Sequence, residues 1–341
     1  MKLPHRISLA RLPTPIQFLK KTSADLNKEI YVWRDDLTGF IDSGNKVRKL
    51  EFLVADALAQ GCDYLITCGG PQSNHARATA AVARQLGLGV SLLLLPRPGF
   101  DPSQAPSGNL LLNQILGAKI TWIDPEEFQR LGSTYEHFFH REMDSVKNLG
   151  KKPYCIPLGG SSPLGCYGYI SGVSEMALAW TTLVPKSKTP DSIFCALGSG
   201  GTYVGLGLGL QANSLATKLF GINVIGAIET ANLYVNNLTT AALHAGMEVN
   251  LQNARIIDGY VGAGYSLASN EDLSFYRNLA SSEGIVLDPC YTGKAFQGMI
   301  SEIRKNPGSF GNKILFLHSG GGFGNFAYSE QYQRVFQEKM I

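Results

Sequence analysis

Tyr64-Leu65-Ile66-Thr67-Cys68-Gly69-Gly70-Pro71-Gln72-Ser73-Asn74 decides the fold class. The run from Tyr64 to Cys68 reads as a strand buried on both faces. Residues 69–73 form a glycine loop, and Asn74 is placed to cap a helix running from Ala76 to Leu86. The same unit recurs downstream. A strand at 90–95 is stopped by Pro96 and Pro98. A helix at 110–116, a strand at 119–123, a long polar helix at 125–149 and a strand at 154–158 follow. Strand–helix alternation of this kind predicts an α/β protein with parallel sheets flanked by helices.

A glycine loop at 159–165 then leads into a helix ending near Trp180, and residues 184–190 form a polar connector. A second series begins there. Strands are predicted at 192–197, 224–228 and 313–317, and helices at 203–213, from 229 through 241, at 270–282 opened by Asn270, and at 292–305. Residues 285–288 read as extended. Upstream, a strand at 30–34 follows a proline-bearing arm at 1–30. A chain of 341 residues exceeds one ordinary core, so two domains are expected.

Formal charge is only +3, with acids and bases mixed along the chain, which argues against a nucleic-acid or membrane surface. No apolar run approaches the ~18 residues of a membrane span. The N-terminal residues Met1-Lys2-Leu3-Pro4-His5-Arg6 lack the apolar stretch of a leader. The six cysteines form no CxxC pair and read as buried free thiols. A reducing, cytoplasmic location is expected.

Chemistry concentrates in four places. Ser43-Gly44-Asn45 delivers Lys46 to the start of a helix whose apolar face is Val47, Leu50, Leu53, Val54, Ala57 and Leu58, closed by Gly61. The helix dipole disfavours an ammonium there by roughly a few tenths of a kcal/mol or more. A buried Lys46 would be a nucleophilic amine; a solvated basic turn with Arg48 and Lys49 is the plainer reading. Gly198-Ser199-Gly200-Gly201-Thr202, between strand and helix, suits an anion. It lacks the lysine of a nucleotide P-loop. Glu229, at the end of the next predicted strand, keeps a dinucleotide reading open beside a single phosphate monoester and a ligand-free turn. Gln72, Ser73, Asn74 and His75 stand at another helix N-terminus, where a carboxylate can bind, although an Asn cap and a structural histidine explain much of it. Tyr265 and Tyr291 sit on loop ends, as packed aromatics or as acids. His137 and His140 have no third ligand in view, so no metal site is expected.

These pieces in this order resemble the pyridoxal-phosphate enzymes that group D-cysteine desulfhydrase with 1-aminocyclopropane-1-carboxylate (ACC) deaminase. The resemblance runs from about Leu12-Pro13-Thr14-Pro15 to Phe326-Ala327-Tyr328. It is carried by Arg34-Asp35-Asp36, the stretch from Ser43 to Phe52, Gln72-Ser73-Asn74-His75, residues 198–202, Leu287-Asp288-Pro289 with Tyr291-Thr292-Gly293-Lys294-Ala295, and His318-Ser319-Gly320-Gly321. It implies pyridoxal 5'-phosphate as cofactor, with Lys46 forming the Schiff base. Asn74 would bond the ring hydroxyl, and Gly198, Ser199, Gly200, Gly201 and Thr202 would hold the phosphate. Ser73, Tyr265 and Tyr291 would act beside Lys46. The substrate-binding set expected is Gln72, Ser73, Asn74, His75 and Gly160.

The resemblance further implies a tryptophan synthase β-like fold. A large cofactor domain would comprise residues 1–50 and 161–341, and a small α/β domain, 51–160, would close over the substrate. A homodimer is implied as well. ACC deaminases carry a glutamate facing the pyridine nitrogen where this chain has Thr292. A hydroxyl makes the weaker electron sink, which favours β-elimination of a thiol over cyclopropane opening. The expected reaction is D-cysteine to pyruvate, hydrogen sulfide and ammonia. ACC to 2-oxobutanoate and ammonia, and another D-amino-acid lyase or racemase, are alternatives. A nicotinamide oxidoreductase using residues 198–202 with Glu229, and a cofactor-binding protein without turnover, come from other classes.

Overall fold

The computed structural model describes residues 3–97 and 99–337. Pro98, expected to help stop a strand, and Met1 and Lys2 lie outside the described residues. Among the described residues ten strands form two sheets. The larger contains β1 (Ile16–Phe18), β2 (Glu29–Trp33), β7 (Ser192–Leu197), β8 (Lys218–Asn223), β9 (Ala254–Ile257) and β10 (Lys313–Leu317), in the order β1-β2-β10-β7-β8-β9. Only β1 is antiparallel to its neighbour. The smaller sheet is wholly parallel, in the order β5-β4-β3-β6, from β3 (Tyr64–Gly69), β4 (Gly89–Leu94), β5 (Lys119–Trp122) and β6 (Pro153–Cys155).

The helices are α1 (Lys20–Leu26), α2 (Asn45–Ala59), α3 (Asn74–Gln85), α4 (Gly108–Ile115), α5 (Pro125–Arg130), α6 (Glu136–Asn148), α7 (Pro163–Leu183), α8 (Gly201–Ala212), α9 (Ile228–His244), α10 (Asn270–Glu283), α11 (Thr292–Lys305) and α12 (Ser329–Gln337). One core lies between the large sheet and α7–α9, and a second, on the sheet's other face, packs it against α11. The small sheet packs on α2 and α3. α8 is apolar all round because residues 201–210 are buried on every side. Gly205 and Gly209 let it lie against α7: a Cβ at Gly205 would come 2.8 Å from the Cys166 carbonyl, and one at Gly209 would meet Val173 at 2.7 Å. The apolar core alone does not hold α2. Arg48, 1% exposed, donates to both oxygens of the fully buried Asp35 at 2.8 Å and reaches Glu175 on α7. Tyr169 and Thr14 also donate to Asp35. Burial works against the Arg48 charge, but Asp35 and Glu175 outweigh it and hold the guanidinium firmly protonated.

Several predicted boundaries move. The strand expected at 224–228 lies at 218–223, because β8 pairs in register with β7 and Asn223 turns the chain through bonds to Gly226 and Asp258. The helix expected over 125–149 is two helices, broken where Gly132 and Ser133 adopt positive φ. Residues 285–288 pair with no strand. Ser73, not Asn74, caps α3, and Ser269, not Asn270, caps α10 in a box with Asp272. The arm at 1–30 contains β1 and α1, and β9 was not foreseen. Residue 50, the expected domain boundary, falls inside α2, which packs on both α3 and α7.

Candidate active site

A cavity of about 710 Å³ opens between the two sheets. Its walls come from the segments that follow β3, β4, β7, β8 and β10, so the carboxyl ends of both sheets face it. Ligands of open α/β sheets bind at such edges.

Lys46 enters from the first turn of α2. Gly44, at φ 102°, turns the chain there, and the Asn45 amide donates to the Ser319 carbonyl at 3.0 Å. Asn45, Arg48 and Lys49 are buried, so the solvated-turn reading fails. The Lys46 amine donates to Asn45 Oδ1 at 3.0 Å, and Asn45 Nδ2 donates to Thr202 Oγ1 at 2.9 Å. One side chain therefore bridges the amine and the glycine loop. The surrounding protein desolvates Lys46 and lowers its pKa to about 8; Asp288 opposes this and Arg77 adds to it.

The loop before α8 is built for an anion. Gly200 has φ 86°, and Ser161 braces the turn by bonding Ser199 Oγ at 2.8 Å and the Gly201 amide at 3.1 Å. A Cβ at Gly201 would lie 2.5 Å from Ser161 Oγ and 2.8 Å from Lys49 Nζ. Lys49 is 1% exposed, and its ammonium donates only to the Gly159 carbonyl at 3.1 Å; among the described residues no carboxylate pairs with it. Burial pushes its pKa well down, with Lys46 adding repulsion. A buried amine with no carboxylate partner, beside glycine amides at a helix N-terminus, fits a phosphate dianion, whose charge would favour its protonated form. Lys49 was missed in the sequence, although its i+3 spacing from Lys46 puts both on one helix face. Glu229 stands exposed on the first turn of α9 rather than at a strand end, which removes the acid of the dinucleotide reading.

The opposite wall is the start of α3. Ser73 Oγ accepts from the Ala76 amide at 3.1 Å, which leaves its own proton to donate. Asn74 Oδ1 accepts from Asn109 Nδ2 at 2.8 Å. Gln72 is not free for a substrate: its amide donates to the Ser107 carbonyl and accepts from the Asn109 amide, both at 2.9 Å. His75 lines the cavity, but Thr67 gives its hydroxyl proton to the Ile156 carbonyl, so His75 Nε2 must be the donor to Thr67 Oγ1 at 2.8 Å. Burial keeps this histidine neutral. Its Nε2 proton is committed to Thr67 in the wall. Gly160 packs against Leu53 and His75 behind the wall; Gly159 is the glycine that lines it.

At the third wall Tyr265 and Tyr291 share a hydrogen bond of 2.5 Å, and burial raises both phenols well above their ordinary range. Lys294 on α11 donates to the Val261 and Gly264 carbonyls at 2.6 Å each, tying the Tyr265 loop to the helix that Tyr291 opens. Thr292 does not line the cavity. It is fully buried, donates to Asp288 Oδ1 at 2.6 Å and accepts from the Asp288 amide at 2.9 Å. Ser319 is the hydroxyl residue that lines the cavity after β10.

A buried amine, an anion cradle and a phenol pair around one cavity suit a phosphorylated aldehyde cofactor. The family described as pyridoxal-phosphate dependent enzyme matches residues 7–320. The chain belongs to that family. A bifunctional D-cysteine desulfhydrase/1-aminocyclopropane-1-carboxylate deaminase of Arabidopsis thaliana, described as mitochondrial, is 40% identical over 96% of this chain and 80% of its own length. A D-cysteine desulfhydrase of Salmonella choleraesuis is 38% identical over 95% of this chain and 96% of its own. The crystal structure of an ACC deaminase homologue superposes with a TM-score of 0.84 at 37% identity, covering 98% of this chain and 97% of that one.

In this pyridoxal-phosphate dependent enzyme, Lys49 and the α8 amides would hold the cofactor's phosphate. Replacing Lys49 by Met is expected to weaken pyridoxal phosphate binding roughly 10- to 100-fold, the loss of one or two charge-assisted bonds. Equilibrium dialysis against pyridoxal phosphate and against unphosphorylated pyridoxal checks this; only the phosphorylated form should lose affinity.

Proposed function

We propose that this enzyme eliminates a β-thiol from a small amino acid, with D-cysteine as first substrate, giving pyruvate, hydrogen sulfide and ammonia. The observation that carries the reading is the Lys46–Asn45–Thr202 bridge, which holds a nucleophilic amine beside an anion cradle. Pyridoxal phosphate, when bound, supplies an electron sink for the α-carbon. Lys46 would hold it, with Lys49 and residues 198–202 at its phosphate. Ser73 and the first-turn amides of α3 hold the substrate carboxylate. The Lys46 amine, when free, takes the α-proton. The Tyr265–Tyr291 pair has one phenol proton beyond the one binding the two rings, and delivers it to the departing sulfur. The 2-aminoacrylate left after loss of hydrogen sulfide tautomerises to its imine, and addition of water to that imine releases ammonia and leaves pyruvate.

Among the described residues lining the cavity, Asp101 is the one carboxylate, and it lies exposed at the rim. A site without an interior acid supports the better leaving group. ACC is the second reading; the names of the relatives support it and D-cysteine alike. Parallel assays of ammonia and sulfide release separate them. Sulfide from D-cysteine with ammonia from ACC at least tenfold slower supports the first; the reverse order overturns it. D-serine would expose a broader lyase or racemase activity. Residues 51–160 closing over the substrate and a homodimer belong to the same proposal, as does a reducing compartment suited to six free cysteines.

The Lys46 amine acts only when neutral. With its pKa near 8, about one molecule in ten is ready at pH 7. The rate of covalent cofactor loading onto apoenzyme should rise about tenfold per pH unit below that value and level off above it. Stopped-flow absorbance after mixing with pyridoxal phosphate measures the profile; a flat rate between pH 6 and 9 would contradict a titrating Lys46.

A further inference from the structure

The orientation of Asn74 is decided by a hydrogen-bond chain that begins behind the cavity wall. Arg77 is fully buried, and a guanidinium has donors only. Its Nε donates to Asn109 Oδ1 at 2.9 Å, while its other nitrogens bond the Ile41 and Ser43 carbonyls. Asn109, also fully buried, therefore turns its amide nitrogen the other way, toward Gln72 O at 2.9 Å and Asn74 Oδ1 at 2.8 Å. Asn74 must give its carbonyl to Asn109. Its NH₂ is left without a partner among the described residues, on a side chain that lines the cavity. The two ends of an amide differ little in shape, so such a network decides which way it points. Here the network starts from a group that cannot reverse.

We propose that Arg77 and Asn109 are positioning residues that fix the polarity of Asn74, so that the cavity presents an N–H donor to the ring oxygen of the cofactor. This rests on the reading of Asn74 as the partner of that oxygen. A donor there favours the oxygen without its proton; a carbonyl there would favour the hydroxyl. The same guanidinium holds the carbonyls of the loop that leads to Lys46, so the ring-oxygen contact and the amine share one anchor.

The test is a double-mutant cycle on the full-length holoenzyme, reading the pH midpoint of the visible absorption change that accompanies ring-oxygen deprotonation. Asn109→Asp is nearly isosteric. It still accepts from Arg77, but it turns only acceptors toward Asn74, which must then reverse. The midpoint should rise by about one to two pH units, the size of one charge-assisted hydrogen bond. In an Asn74→Ala background the same change should add less than about 0.3 unit. An equal shift in both backgrounds would mean that the new carboxylate acts by charge alone, and overturns the proposal, as does no shift in either. If Asn74→Ala by itself leaves the midpoint in place, the ring-oxygen contact is the step that failed, and the proposal goes with it. Should thermal melting show Asn109→Asp unfolded, Asn109→Ala takes its place in the cycle. A smaller rise confined to the Asn74 background supports the relay, and no rise overturns it.

Discussion

Lys46→Ala should purify without covalently held cofactor and should turn over D-cysteine at least three orders of magnitude more slowly than the parent enzyme. The substitution removes both the anchoring nucleophile and the base for the α-proton, and positioned acid–base groups alone account for about 10²–10⁴-fold. Borohydride reduction followed by peptide mass analysis measures the first effect. Capture of pyridoxal phosphate at position 46 in the parent, and nowhere in the variant, is the expected result. A variant that keeps both the visible absorbance and turnover would remove Lys46 from the chemistry. Parent protein that captures no cofactor on lysine would instead favour the nicotinamide reading, already weakened by the exposed position of Glu229.

Arg48→Met is expected to be the most damaging substitution for stability away from the cavity. It leaves Asp35, which is 0% exposed, with only the Tyr169 and Thr14 hydroxyls as donors. Removing one partner of such a buried pair costs about 3–5 kcal/mol, because the other charge stays desolvated. The surface pair of Arg141, 58% exposed, and Glu127 is the control: Arg141→Met should cost about 1 kcal/mol or less despite a contact nearly as short, 2.9 Å. Denaturant midpoints of the two variants give the comparison. Equal losses would show that the Asp35 cluster is not what secures α2, and with it Lys46.

The parallel sheets were legible because their strands are unbroken apolar runs between glycine loops; β7, α11 and β10 fall where the pattern puts them. β8 was misplaced because residues 218–228 are apolar nearly throughout, so only pairing with β7 sets its ends. Lys46, the 198–202 loop, Ser73, Asn74 and the two tyrosines could be found because helix starts and glycine loops mark themselves in sequence, and the structure brings all of them to one cavity. Gln72, His75 and Gly160 are placed less directly toward the cavity interior than expected, for a different reason. Their neighbours Asn109, Thr67 and Leu53 are distant in sequence or on other elements, and those neighbours take up the polar groups or cover the residue. Thr292 shows the same effect at short range, since its hydroxyl is absorbed by Asp288 four residues earlier. Lys49 went unnoticed because a run of basic residues usually marks solvent, and only burial beside Gly201 reveals its use.

The seam of Gly205 and Gly209 against α7 bears on how this catalyst can change. A single methyl group inserted there would wedge the two helices apart, and the first turn proposed to receive the phosphate would tilt with them. Reshaping for bulkier amino acids is thus better begun at the exposed rim of residues 101–105 than anywhere along that contact. Tolerance to laboratory evolution should fall away in the same direction, from the lip of the pocket to its floor.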